Sequence, residues 1–342
     1  MDGCKNQAVE DKASKPVTIL NPTMQNAAPK VSVVMPVYNG ERYLRQATDS
    51  ILAQTFGDFE FIIVSEHGTN AESLAIIQSY SDPRIRHIHN TERLGLVESL
   101  NLGIREAKGE LIARMDADDV SLPERFMRQV DFLRGNADVA VLGTAVELVD
   151  AAGDKLLNLE FPTSATWAKW QMFFRCSLPH PAVMARRNVL EEHEGYRHSG
   201  VEDYDLWLRV VRAHNICNLP EVLLKLRKHD DNRSLATSYE DALKRAHEEV
   251  AAYLGKEVDL TALRALREPE TAKDAVSLKE AAKLLSELHR TFRTREGASE
   301  ADWKNVAVDM KSRLDSIIRA CKRKSKGKAF QICLSTLALR FK

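Results

Sequence analysis

The sequence predicts an α/β protein: a mostly parallel sheet flanked by helices, continued at its C-terminal side by a helical region. Three observations carry that reading. Short apolar runs alternate with stretches of helical periodicity from residue 31 to about 150, the pattern of strands joined by covering helices. One of those runs, Leu111-Ile-Ala-Arg-Met115, stops abruptly at Asp116, Asp118 and Asp119, as a buried strand does when it reaches a crevice at the edge of a sheet. Beyond Ser238 strand signals vanish and the text becomes rich in Ala, Leu, Glu and Lys at helical spacing.

Taken in order, Val31-Ser-Val-Val-Met35 is a first buried strand, closed by Pro36 and the loop Tyr38-Asn39-Gly40. Asn39 is placed to cap a helix carrying Tyr43, Leu44, Ala47, Ile51 and Leu52 on one face. Residues 59–64 make the second strand, with Ser65-Glu66-His67-Gly68-Thr69-Asn70 as its loop, and Leu74, Ile77 and Tyr80 mark the next helix. A third strand spans 84–88, and a helix over 94–107 is stopped by Gly109 ahead of the strand at 111. After the acids, Ser121 and Glu124 have capping-box spacing, with Pro123 in the first helical turn. Residues 139–142 and 144–149 read as two strands, the second turning at Gly153. The alternation then lapses: helices over 167–175 and 205–213, with strands at 182–185 and 222–228, suggest a subdomain that builds the second wall of a cleft. Helices are expected over 239–254, 278–293 and 301–322. The resulting division is a disordered tail over 1–29, an α/β domain over 30–237 and a helical extension with a basic end over 238–342.

Composition narrows the function classes. With 342 residues, 44% hydrophobic and 29% charged, the chain has room for one large domain and a smaller one. Lys plus Arg equals Asp plus Glu at 49 each, so no net field draws it to nucleic acid. Five scattered cysteines with no CxxC pair speak against a disulfide framework or zinc site. No signal-peptide core and no apolar run of about 18 residues is found, which gives a cytoplasmic expectation. The exception to the even charge is the C-terminal end. There Arg319, Lys322-Arg323-Lys324, Lys326 and Lys328 precede an apolar run with Phe330, Ile332, Leu334, Leu337 and Leu339. Contact with an anionic membrane surface bearing a lipid-linked acceptor is one reading, and a solvated tail with a terminal core helix is the other. Vesicle co-sedimentation with and without residues 319–342 separates them.

No Gly-rich phosphate loop, Gly-x-Ser-x-Gly elbow or cysteine nucleophile context is present, so carboxylates are left to carry chemistry. In extended chain Asp116 and Asp118 share a side while Asp119 points away, giving two hard oxygen ligands suited to Mg²⁺ or Mn²⁺ against a diphosphate. Taken alone the triplet reads more readily as a solvated acidic turn. Glu202 and Asp203 open a helical segment, where acids are favoured by the macrodipole without any function, or where one could serve as a general base. His87 and His89 alternate on a strand and fit a half-exposed face. His180 and His229, in loop-like text, are stronger candidates, and Trp167, Trp170 and Trp207 fit a core.

The order and spacing of these pieces resemble the family 2 glycosyltransferases, inverting nucleotide-sugar enzymes of the GT-A fold. The likeness runs over about residues 30–235 and is carried by Val31-Ser-Val-Val-Met-Pro36-Val-Tyr38-Asn39, by Asn101-Leu-Gly103 with Ala107-Lys-Gly109-Glu110, by Asp116-Ala-Asp118-Asp119, by Pro123-Glu-Arg125, by His180-Pro181 and by Glu202-Asp203-Tyr204-Asp205-Leu-Trp207. The resemblance implies that Pro36, Tyr38 and Glu66 line the base and ribose pocket and that Asp116 contacts the nucleoside side. It implies further that Asp118 and His229 serve the metal, Mg²⁺ or Mn²⁺, that Asp203 is the base, and that Glu202 supports the acceptor. It also implies a nucleotide-sugar donor, a UDP-sugar foremost, and a sugar or lipid-linked acceptor. The family's usual Asp-Asp-Gly-Ser is here Ser65-Glu66-His67-Gly68, one methylene longer at the second acid. Two other readings stand beside it: a noncatalytic carbohydrate- or partner-binding protein on this fold, and a sugar-nucleotide pyrophosphorylase, which should carry a Gly-rich loop near its N-terminus.

Overall fold

The computed structural model describes residues 18–20, 28–229 and 239–324. Val31–Val37 (β2), Phe59–Ser65 (β3), Ile85–His89 (β4) and Leu111–Arg114 (β5) pair in parallel in the order β4-β3-β2-β5, the expected outcome of strand–helix alternation. The sheet continues past β5 through Met184–Arg186 (β9, antiparallel), Val139–Val149 (β7) and Asn215–Arg227 (β10), the last two parallel to each other. Val120–Ser121 (β6) closes that edge against β10, and Lys155–Leu159 (β8) forms a hairpin with β7. Within the stretch read as a disordered tail, Thr18–Leu20 (β1) adds an antiparallel strand to β4 at the opposite edge.

Side chains of β2 alternate between two apolar layers, as the period of a strand requires. Val31, Val33 and Met35 pack with Leu44, Ala47 and Ile51 of Leu44–Leu52 (α1) and with Phe126 and Val130 of Arg125–Gly135 (α4). Val34 faces the other way, joining Leu100 and Ile104 of Gly95–Glu106 (α3). Contact there is close: a Cβ on Gly103 would stand 2.3 Å from Val34 Cγ1. Ala71–Gln78 (α2) completes the first half, with Asn70 capping it through Ser73 N.

Several local expectations are corrected. Asn39 does not cap α1, which begins at Leu44 after Tyr43; it sits at φ 51° and its Oδ1 accepts from Asn70 N, tying the loop after β2 to the start of α2. Ser121 is not an N-cap, because it belongs to β6 and accepts from Gln54 Nε2, while α4 starts four residues later without a side-chain cap. The supposed break at Gly143 is continuous strand. The glycine is there because Asn218 crosses it, with Oδ1 2.1 Å from where a Cβ would lie. Residues 180–182 form a 3₁₀ turn ahead of β9, and β10 begins well before the expected 222. His87 is buried rather than half-exposed, and with His89 it bonds the Ser65 hydroxyl at 2.8 Å.

Ala165–Met172 (α5), Arg187–Glu192 (α6) and Glu202–Val210 (α7) build the second wall. Against it pack Tyr239–Leu254 (α8), Leu260–Arg267 (α9), Ala275–Arg295 (α10) and Glu300–Lys324 (α11). The seam is aromatic: Trp170 meets Phe173, Phe174 and Phe292, and its indole N–H donates to Asp309 of α11 at 2.7 Å. The extension therefore shares one core with the domain before it. Of the basic end, Arg319 to Lys324 lie on α11, where Arg323 pairs with Glu270; the apolar run from Phe330 lies outside the described residues. Among the described residues no helix is long and apolar enough to cross a membrane.

Candidate active site

β5 delivers its acids at the carboxyl edge of the sheet. Arg114, charged yet buried in the strand, pairs through Nη1 with Asp116. Asp118 Oδ2 lies 2.9 Å from His229 Nε2. Asp119, 1% exposed, accepts from Arg227 N at 2.8 Å through Oδ1, and among the described residues its buried Oδ2 has no hydrogen-bond partner. One oxygen from each of the three acids lies within 4.8 Å of the others, so Asp119 converges with its neighbours instead of pointing away. The chain is no longer extended there: it turns into β6, which swings Asp119 inward.

Arg227 is what fixes this turn. From the end of β10 its guanidinium reaches Asp118 O at 2.9 Å and Gln46 Oε1 at 2.7 Å, and it lies 4.4 Å from the centroid of the Tyr43 ring. Beneath the triplet, fully buried Arg125 donates to Arg114 O at 2.7 Å and Val183 O at 3.2 Å. Burial, with Arg114 as a like charge nearby, pulls Arg125 down to about 9. Burial raises the Asp118 and Asp119 carboxyls, Asp119 strongly, and repulsion from Asp116 adds to both.

Across from the triplet, Glu202 and Asp203 occupy the first turn of α7, which starts three residues before the expected position. Asp203 Oδ1 accepts its neighbour's N–H, from Tyr204, at 2.6 Å, Oδ2 lies 3.9 Å from Cys176 Sγ, and Glu202 accepts from Gly200 N. Burial first, and the Glu202 charge second, push the Asp203 carboxyl up to about 6. Arg114 joins the two halves electrostatically. Its charge acts on Asp118, Asp119 and Asp203 alike, and Tyr196 feels both Asp203 and Asp116. His180 belongs to this buried cluster, bonded to Tyr196 OH at 3.0 Å and held neutral by burial.

At the carboxyl end of β2, Pro36 is half-buried and Tyr38 is 48% exposed, with the Arg93 guanidinium 5.3 Å from its ring centroid. Glu66 is buried at the start of α3. It accepts from Leu94 N at 2.9 Å, Gly95 N, His67 N at 3.0 Å and Ser99 Oγ at 3.3 Å, a carboxylate placed where a helix N-terminus favours one. Further along the same helix, Asn101 brackets Tyr196 by donating to its carbonyl at 3.0 Å and accepting from its N–H at 2.8 Å.

The family model for glycosyl transferase family 2 matches residues 32–192. The O-antigen biosynthesis glycosyltransferase WbnJ of Escherichia coli is 36% identical over 220 residues, 62% of this chain and 85% of that one. The chain belongs to glycosyl transferase family 2. Among solved structures, TarS 1-349 of S. aureus in complex with UDP-GlcNAc superposes with a TM-score of 0.55 at 17% identity, covering 91% of this chain and 89% of that one. The mannosyltransferase PcManGT of Pyrobaculum calidifontis, in complex with GDP-Man and Mn²⁺, gives 0.52 at 15% identity over 93% and 89%. These neighbours share the GT-A fold, and their coverage runs past Ser238, so the helical extension of this glycosyltransferase also has structural counterparts.

The residues that sequence reasoning overlooked in this glycosyltransferase are mostly cations. Arg114 carried a signal, a lone charge inside an apolar strand next to three acids, because a buried charge must be paired. Arg227 carried none, since its partners on α1, on the triplet and in the 150–151 turn are far away in sequence.

Proposed function

We propose that the protein is an inverting, metal-dependent glycosyltransferase that moves a sugar from a nucleotide-diphosphate sugar, a UDP-sugar foremost, to an acceptor hydroxyl in cell-surface polysaccharide or glycoconjugate synthesis. The observation that carries this is the pairing of two unlike acidic sites on one buried arginine: a triplet with an unsatisfied carboxylate oxygen, and a single carboxyl raised to about 6. The O-antigen biosynthesis glycosyltransferase WbnJ and the complexes with UDP-GlcNAc and GDP-Man support the same class of product and donor.

The triplet fits a cation. Its donors are all hard oxygens, and Asp119 Oδ2 is buried without a partner, a state that costs free energy unless a cation or donor faces it. Asp116, Asp118 and Asp119 would hold Mg²⁺ or Mn²⁺, with His229 adding a nitrogen donor beside Asp118. When bound, such a cation neutralises charge that grows on the departing diphosphate. Tyr38 offers an exposed ring for the base next to Pro36, and Glu66 serves that pocket by fixing the 94–95 backbone at its edge. Asp203 takes the proton from the acceptor hydroxyl as the acceptor oxygen bonds the anomeric carbon and the opposite carbon–oxygen bond to diphosphate breaks. Attack from the opposite face inverts the configuration. Glu202 steadies the acceptor and, by its charge, keeps Asp203 basic enough to act near neutral pH.

The test is release of nucleotide from a panel of donor sugars, with and without divalent cation and acceptor. Metal-stimulated release from one donor, raised by acceptor, is the expected result. Silence across the panel would leave a binding protein on this fold, and formation of a sugar nucleotide from a sugar phosphate would indicate a pyrophosphorylase.

A further inference from the structure

A second group of metal-ligating side chains stands apart from the triplet, on the second wall. Glu192 ends α6, His193 follows it, and His214 immediately precedes β10. A ligand atom from each lies within 4.8 Å of the others. His214 Nε2 is 3.1 Å from Glu192 Oε2, and the two imidazoles meet edge to face with centroids 5.4 Å apart. His193 Nε2 is buried, and among the described residues it has no hydrogen-bond partner, although the ring is only half covered.

We propose that Glu192, His193 and His214 form a second cation site, of the kind that takes Zn²⁺. Two imidazoles and one carboxylate are the donor set of a three-ligand zinc centre with a fourth position left to water, and they differ in softness from the all-oxygen triplet. The geometry is close to what the ion needs. Ligands at about 2.0–2.1 Å from a tetrahedral centre stand about 3.4 Å apart. The His214–Glu192 pair already meets that, so His193 has to close by no more than about 1.4 Å, a side-chain rotation. The backbone that carries His193 is held: its N–H donates to Val189 O at 3.1 Å and its carbonyl accepts from Arg209 of α7. The Arg209 charge is met by Asp205 at 3.0 Å, so it does not stand unbalanced beside the ion.

The position gives the site a consequence. Residues 193–201 run from this cluster to α7 through Glu194, Gly195, His198 and Gly200, all at positive φ, and they carry Tyr196 into the catalytic cluster. A cation here clamps the start of that loop to the start of β10. It is a positioning site, with no contact to reacting atoms.

The experiment is calorimetric titration of tag-free full-length protein with Zn²⁺ alone, followed by hydrogen exchange of the 193–201 backbone with and without Zn²⁺. One equivalent is expected at the two-histidine site, apart from any that the triplet takes, with slower exchange in that loop. His193→Gln and His214→Gln should each weaken binding by at least about tenfold, whereas Asp118→Ala, on the triplet, should leave it unchanged. Co²⁺ in place of Zn²⁺ should give the visible absorption of a four-coordinate centre, lost in both histidine variants. Folding of the variants is checked by their melting temperatures without metal. Zn²⁺ affinity equal in wild type and both histidine variants overturns the proposal, as does affinity that disappears with Asp118→Ala.

Discussion

The triplet at the end of β5 and Asp203 at the start of α7 are both acids placed where burial works against their charge, and they differ in what would relieve them. For Asp118 and Asp119 the second cause after burial is another aspartate, so the excess is concentrated negative charge at one point. For Asp203 it is a single glutamate, on the far side of an arginine that touches the triplet. A divalent cation resolves the first situation and a proton resolves the second. On the proposed reading, the sheet edge offers a site for an ion and the start of α7 a site for acid–base exchange, with the Arg114 charge acting on both.

The contrast can be broken by removing either member. The largest effect is expected from Asp203→Asn, which keeps the shape and removes the proposed base: transfer should fall by about 10²–10⁴-fold with donor affinity retained. Wild-type turnover in that variant removes Asp203 from the chemistry. Next, Asp118→Ala should weaken nucleotide binding in the presence of Mg²⁺ or Mn²⁺ by at least about tenfold, while leaving the metal-free affinity alone. Calorimetry showing equal affinities with and without metal in wild type would sink that role.

A smaller signature is the pH profile. In the proposed mechanism Asp203 acts when ionised, so transfer should decline as pH falls through about 6. A rate that is level between pH 5 and 8 would mean another group accepts the proton. Smallest is stability. A carboxyl raised from its ordinary value to about 6 destabilises the fold increasingly as pH rises from about 4 to about 6, and fully above that. Asp203→Asn should therefore melt a few degrees higher than wild type at pH 8, with the gap closing at pH 4. An unchanged melting temperature at pH 8 would show that the carboxylate is not under that strain.

The parallel half of the sheet was legible because β2, β3 and β5 are short apolar runs and β4 an interrupted one, each bounded by loop signals and too short for a helix. Gly143 misled because a glycine inside a strand looks like a break until Asn218 is seen crossing it. Ser121 and Glu124 had the spacing of a cap, but the chain there is used by β6, and pairing with β10 overrides local chemistry. The site's acids could be read as residue types at strand ends, whereas the cations that hold them could not. Arg227 reaches Asp118 across more than a hundred positions, and no local pattern encodes such a contact. Helix α9 went unread because its eight residues are too few to show a period.

Helix α3 touches both halves of the site. Glu66 holds its first turn, Asn101 holds the loop leading to Asp203, and the two grips are separated by about 9 Å of helix axis. Gly103 seats that helix against Val34 with no space for a methyl group. The span from the proposed donor pocket to the proposed base is thereby gauged by one rigid rod resting on the sheet. Gly103→Ala would lift the rod and displace both ends together, so that a substitution touching neither substrate would detune donor and acceptor in step.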